Sequence, residues 1–268
     1  MDHFEKALLK AETGQFKPVE FKPSVLPVAA NDTPEIVYSQ TKRQLSNLEI
    51  LRQRRVVSSN LYSVEAEPFR ILRTRVLKSL RANQWNSFAV TAPTKHAGKS
   101  LVAVNLAIAM AMEVNQTVLL VDLDLRAPSL GNYFNYKVEY GLSDYLRADV
   151  PLSKILFNPG FDRLVVLPGR DRVEGSSELV SGPKMRNLVE ELKNRYQSRI
   201  LIFDLPPALA SDDVMVCMDY FDAYLLVVEN GGNTPAEVKK SVQLMSGSHL
   251  LGAVLNKCDV NSEFRQYY

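Results

Sequence analysis

Six short apolar runs limit what this chain can fold into: Phe88–Thr91, Val118–Val121, Leu164–Leu167, Ile200–Phe203, Leu225–Val228 and Leu250–Leu255. They are mostly continuous rather than alternating, as expected for strands covered on both faces. Between them lie helix-patterned stretches at Ser100–Glu113, Pro183–Tyr196, Asp212–Asp219 and Pro235–Ser246. Strand and helix in alternation predict an α/β fold, a mostly parallel central sheet with helices on both faces. The 268 residues suit one such domain with appendages. The longest apolar run, Leu101–Met112, is too short to cross a bilayer and is broken by Asn105. Met1–Lys10 is charged and does not read as a secretory signal. Cys217 and Cys258 have no metal or redox spacing, which points to a reducing cytoplasm.

Residues 1–60 read as an extension, 61–260 as the domain and 261–268 as a flexible tail. Asp2–Glu12 has the pattern of a short amphipathic helix, with Phe4, Ala7, Leu8 and Ala11 on one side. The stretch from Lys17 to Pro34 carries four prolines and reads as a linker. From Glu67 to Arg81 a helical stripe returns through Phe69, Leu72, Val76, Leu77 and Leu80. The net charge of +2 is too small to argue for nucleic acid. Residues 1–85 nevertheless hold 14 Lys/Arg against 9 Asp/Glu, clustered at residues 42–55 and 70–81. That excess reads either as a solvated helical face or as a contact for an anionic membrane surface or acidic partner.

Directly after the Phe88–Thr91 run comes Ala92-Pro93-Thr94-Lys95-His96-Ala97-Gly98-Lys99-Ser100, then an apolar helix. Gly-Lys-Ser between strand and helix is the ending of a P-loop, whose backbone N–H groups cradle phosphates at a helix start. Thr94, Lys95, His96, Ala97, Gly98, Lys99, Ser100 and Leu101 are therefore the candidate nucleotide-binding residues. Lys99 is expected to reach the β/γ-phosphates and Ser100 to offer a hydroxyl to Mg²⁺. The usual first glycine is replaced by Pro93, which has no N–H, while the donors from Ala97 to Ser100 are untouched.

Two strands end in acids. Val118–Val121 runs into Asp122-Leu123-Asp124, and Ile200–Phe203 runs into Asp204-Leu205-Pro206-Pro207. Period-two geometry puts Asp122 and Asp124 on one side if the strand continues that far. Ligands of open α/β sheets bind beyond the carboxyl ends of strands, so all three acids are expected to face the loop. Hard carboxylate oxygens suit Mg²⁺, and one acid can accept a proton from an attacking hydroxyl.

These residues resemble the bacterial tyrosine kinases of capsule and exopolysaccharide assembly, P-loop ATPases of the partitioning-ATPase-like class. The resemblance rests on Ala92–Ser100, Val118–Leu130, Gly141-Leu142-Ser143-Asp144, Ile202–Pro207, Leu225–Glu229 and Gly252–Asn256. It implies an ATP- and Mg²⁺-dependent tyrosine autokinase. Lys99 and Ser100 would then bind phosphate and metal, and Asp122 would accept the tyrosine proton with Asp124 beside it. Asp204 would join Ser100 and Asp122 around magnesium, and Asn256 would contact the base. The segment Asn256-Lys257-Cys258-Asp259 also mimics a GTPase base-reading motif, which leaves GTP as an alternative. Glu67, Arg70 and Arg73 match a family helix that joins subunits into a ring; the residue-level alternative is simple Glu–Arg pairing on a wet surface. Tyr267 and Tyr268 stand where relatives carry a longer tyrosine cluster phosphorylated in trans. The resemblance further implies a cytoplasmic protein at the inner face of the plasma membrane, with no transmembrane segment of its own. A separate membrane-embedded polysaccharide co-polymerase would activate it.

Two other functions compete. A positioning ATPase of the partitioning and division-site class shares the fold, but its signature lysine position is Thr94 here. An ATP-binding scaffold that gates polysaccharide export without kinase activity is the other alternative, kept open by the two-tyrosine tail.

Overall fold

In the computed structural model the six apolar runs become six strands of one sheet. The structure describes residues 41–60, 62–195 and 198–258. The expected helix Asp2–Glu12, the proline-rich linker and the tail with Tyr267 and Tyr268 lie outside the described residues. The strands are β1 (Lys42–Arg43), β2 (Ser87–Thr91), β3 (Thr117–Asp122), β4 (Phe157–Asn158), β5 (Leu164–Leu167), β6 (Arg199–Asp204), β7 (Ala223–Glu229) and β8 (His249–Asn256). Their order across the sheet is β1-β4-β5-β3-β6-β2-β7-β8. All pairings are parallel except β4 with β5.

The helices that matter for the site are α1 (Leu48–Gln53), α2 (Glu67–Asn83), α3 (Lys99–Ala111), α4 (Leu130–Tyr133), α5 (Leu142–Ala148), α6 (Ser176–Ser181), α7 (Pro183–Asn194) and α8 (Pro235–Leu244). Helix α3 is rich in alanine, the best helix former. It is buried all round from Val102 to Ala111, so it needs no polar face. It carries the chain from β2 across β6 to β3. Helix α7 buries Met185, Leu188, Val189 and Leu192, one stripe at helical spacing.

Alternation along the strands divides the core between the two faces. Phe88, Val90, Leu120 and Ile202 pack with α2 and α3 on one face. Ala89, Leu119, Val121, Leu201 and Phe203 pack with α7 on the other. The expected helix Asp212–Asp219 is broken into a short helix, Asp213–Val216, and a 3₁₀ turn, Met218–Tyr220.

Residues 42–60, expected as part of the extension, join the domain instead. Strand β1 pairs with β4 at the sheet edge, and Leu51 and Val56 are buried in the core. Asn105 of α3 fastens this segment. Its Oδ1 accepts the Ser58 N–H at 2.9 Å, and its Nδ2 donates to the Arg55 carbonyl at 3.1 Å and the Leu101 carbonyl at 3.0 Å. The polar break in the apolar run is therefore a buried bracket. Replacing it with leucine strands a buried N–H and a carbonyl, so Asn105→Leu is expected to cost about 2–4 kcal/mol. A lower urea midpoint with unchanged slope checks this.

Candidate active site

The loop between β2 and α3 is built for close backbone approach. Gly98 caps α3 at φ +95°, a left-handed conformation that favours glycine. A Cβ there would also fall 2.2 Å from Asn256 Nδ2. The helix start then directs N–H groups and the positive end of its dipole into the loop. Pro93 costs the loop little, because its carbonyl is the group the fold uses. That carbonyl accepts the Leu209 N–H at 3.2 Å, and the Ala92 carbonyl accepts the Ala208 N–H at 2.8 Å. Lys95 and His96 are exposed, Ala97 and Ser100 are buried, and Thr94 and Leu101 lie half-buried.

Strand register brings the acids together. In the β3–β6 ladder Asp122 sits directly opposite Asp204, on strands spaced about 4.8 Å apart. Strand β3 stops at Asp122, so Asp124 is placed by a turn rather than by strand alternation: its Oδ1 accepts the Ala127 N–H at 3.1 Å. Lys99 reaches into the group, with Nζ 2.8 Å from Asp124 Oδ2 and 3.3 Å from Asp204 Oδ1. It also donates to Ser100 Oγ at 3.1 Å. Asp122 Oδ2 accepts N–H groups from Ser129 at 3.0 Å and Leu130 at 3.1 Å, at the start of α4.

The electrostatics follow from this crowding. Burial disfavours the Lys99 charge, but Asp204 and Asp124 more than offset it and hold the ammonium above its usual range. Burial, then repulsion from Asp204, pushes the Asp122 carboxyl up to about 7, against the pull of the Leu130 N–H and Lys99. Burial raises Asp204 as well, opposed by Lys99 and a hydrogen bond from Ser100.

Two buried oxygens, Asp122 Oδ1 and Asp204 Oδ2, have no hydrogen-bond partner in the protein. Such orphans are expensive unless something else binds them. With the Ser100 hydroxyl close by, they fit a hard cation that keeps some of its waters. Among the described residues, no three His, Cys, Asp or Glu side chains form a metal site unaided. Substrate oxygens and water would have to complete the shell.

The remaining predicted residues are distributed differently. Asn256 donates from Nδ2 to the Ala97 carbonyl at 2.8 Å, so here it braces the loop. Glu67 pairs with Arg70 at 3.8 Å on α2. Arg73 turns inward to Glu113 at 3.1 Å and the Ala109 carbonyl at 3.3 Å. Arg126 lies within the Val118–Leu130 stretch, whose pattern assigns it no role. It binds Asp212 at 2.7 Å, Asp213 at 3.2 Å and Ser176 Oγ at 3.0 Å, tying together the loops after β3, β5 and β6. Its partners lie 50 to 87 residues away, so no local spacing announces them.

No protein-family model matches the sequence. The tyrosine-protein kinase candidate CapB of Staphylococcus aureus is 30% identical over 210 residues, covering 77% of this chain and 91% of its own length. This chain belongs to the bacterial tyrosine-protein kinases. Tyrosine-protein kinase Etk of Escherichia coli K12 is 33% identical over 192 residues, 71% of this kinase but only 26% of Etk. The solved Etk kinase domain superposes with a TM-score of 0.69 at 30% identity, covering 77% of this chain and 82% of that one. The septum-site protein MinD of Pyrococcus horikoshii, solved with Mg-ADP, shares the fold at a TM-score of 0.53 and 23% identity, covering 68% and 76% of the two chains. The kinase is thus a P-loop protein-tyrosine kinase of the capsule and exopolysaccharide class, rather than a positioning ATPase. Among the described residues, no helix is long and apolar enough to cross a membrane.

The raised Asp122 carboxyl makes a testable statement about stability. Its folded-state value lies above the unfolded one, so Asp122 contributes stability at low pH that the nucleotide-free kinase loses as pH rises through about 7. Asp122→Asn keeps an acceptor for the Ser129 and Leu130 N–H groups but carries no charge. The gain of the variant over wild type is expected to be larger at pH 7.5 than at pH 5 by about 2 kcal/mol. Thermal melts at the two pH values check the sign.

Proposed function

We propose that this kinase moves the γ-phosphoryl group of ATP onto tyrosine hydroxyls, with Tyr267 and Tyr268 of a neighbouring subunit as acceptors. The observation that carries the reading is the convergence of Lys99 with Asp122, Asp124 and Asp204 at the mouth of a loop that favours phosphate.

ATP would bring its phosphates to the N–H groups from Ala97 to Ser100, and Lys99 would exchange Asp204 for β/γ-phosphate oxygens. Magnesium, held by Ser100 Oγ and Asp204 and reached by Asp122 only through one of its waters, would neutralise charge on the phosphates. Asp122 Oδ1 is the free buried oxygen available to the acceptor. It takes the tyrosine proton as the phenolic oxygen bonds to the γ-phosphorus and the bond to ADP breaks. In the nucleotide-free site that carboxyl is pushed up to about 7, toward the range of a general base at neutral pH. Asp124 keeps Lys99 anchored beside the reaction.

The assembly is part of the same proposal. A homo-oligomeric ring would draw on Glu67 and Arg70, whose side chains are about one third exposed, while Arg73 anchors the helix within its own subunit. The exposed cations Arg52, Arg55, Arg75 and Lys78 suit an acidic partner face or the anionic inner surface of the plasma membrane. There a membrane-embedded polysaccharide co-polymerase would act as activator, and the kinase would regulate polymer length and export.

Lys99→Met is expected to lower autophosphorylation at least about 100-fold, the scale of losing one preorganised transition-state donor. Tyr267→Phe/Tyr268→Phe is expected to abolish the phosphotyrosine signal while leaving ATP binding in place. A phosphotyrosine blot of purified protein with ATP and Mg²⁺ reads both. ATP turnover without any wild-type signal would favour the scaffold reading instead.

A further inference from the structure

Two side-chain amides from the β7–β8 edge of the sheet reach the phosphate loop. Asn256, at the end of β8, holds the Ala97 carbonyl. Asn233, in the turn between β7 and α8, donates from Nδ2 to Thr94 Oγ1 at 2.7 Å. The orientation of the Asn233 amide is fixed at its other end, where Oδ1 accepts the Glu229 N–H at 2.8 Å. A carbonyl oxygen pinned to a backbone N–H leaves the NH₂ group facing Thr94.

The bracket itself is rigid. The Asn233 N–H donates to the Glu229 carbonyl at 3.1 Å, fastening the turn to the end of β7. The next residue, Thr234, caps α8 in a reciprocal pair with Glu237. Lys257 closes the same corner with an ion pair to Glu229 at 2.8 Å. The outer limb of the loop has Pro93 where a glycine is usual, and its tip is exposed at Lys95 and left-handed at His96. Between the carbonyl anchors at Pro93 and Ala97, Thr94 Oγ1 is the point where the fold grips this limb.

We infer that Asn233 is a positioning residue for the phosphate loop: by holding Thr94 it preorganises the outer limb and so sets ATP affinity rather than the rate of transfer. Ordering the loop before binding spares the nucleotide that cost. The inference rests on ATP being the nucleotide, as proposed above.

The test titrates MgATP into wild type, Asn233→Ala, Thr94→Val and the double variant. Melting temperature, KM and kcat are measured alongside. Each single change is expected to raise Kd and KM for ATP about 3- to 10-fold, the worth of one hydrogen bond. For Asn233→Ala, kcat is expected to stay within about twofold, the pattern of lost uniform binding. The double variant is expected to bind no worse than the weaker single one, because both cut the same bond. Thr94→Val leaves the Asn233–Glu229 bond intact and carries the test if Asn233→Ala does not fold. Unchanged Kd in folded Thr94→Val, additive losses in the double variant, or a fall in kcat at constant KM would overturn the inference. Wild type that fails to bind ATP sinks the nucleotide reading and this one together. Wild type that binds ATP no better than the variants sinks only the positioning role.

Discussion

The site depends on one buried ammonium among three carboxylates. Parallel register puts Asp122 and Asp204 side by side at the carboxyl edge, and both are fully buried. Two like charges there would be prohibitively costly in a medium that screens poorly. Lys99 makes the arrangement tolerable, and it can reach the group because Gly98 turns the chain where other residues are strained. The loop, the helix start and the two acidic strand ends therefore form one electrostatic unit, in which a change at any member alters the charge of the others.

The unit also needs its loops at fixed spacing. Arg126 spans from the loop after β3 to the segment after β6, and Ser176 at the start of α6 joins by a hydrogen bond to the buried Asp213. The loop after β2 is tied to the segment after β6 by two backbone hydrogen bonds and to the turn after β7 by Asn233. Five carboxyl-end loops are thus cross-braced by backbone bonds and by side chains that carry no chemistry of their own. Such bracing is how a small donor set keeps its geometry without reorganising during the reaction.

Much of this could be read in the sequence, for a physical reason. Strands buried on both faces must be continuously apolar, and helices between them must bury a stripe, so Phe88–Thr91 through Leu225–Val228 announced the inner sheet, whereas Leu250–Leu255, equally apolar, became the edge strand β8 and stays largely exposed. Gly98-Lys99-Ser100 and the acids at the ends of β3 and β6 announced the cluster that the fold assembles, because strand ends converge at one edge. The two-residue strands β1 and β4 and the four-residue α4 were not legible, since elements this short have no periodicity to detect. Asp124 reached the site through a turn at Ala127, and Arg126 and Asn233 act through partners many residues away. These contacts depend on tertiary proximity, which no local pattern encodes.

The bracket at Asn105 fixes where the smallest self-sufficient piece of this molecule must begin. A fragment started at residue 61 would lose Leu51 and Val56 from the core and strip the buried Asn105 amide of its Ser58 and Arg55 partners. It would also expose the first turns of the very helix that carries Lys99 and Ser100. The segment just before the recognisable domain is therefore scaffolding for the phosphate end of α3, and trimming it would damage the catalytic edge from behind.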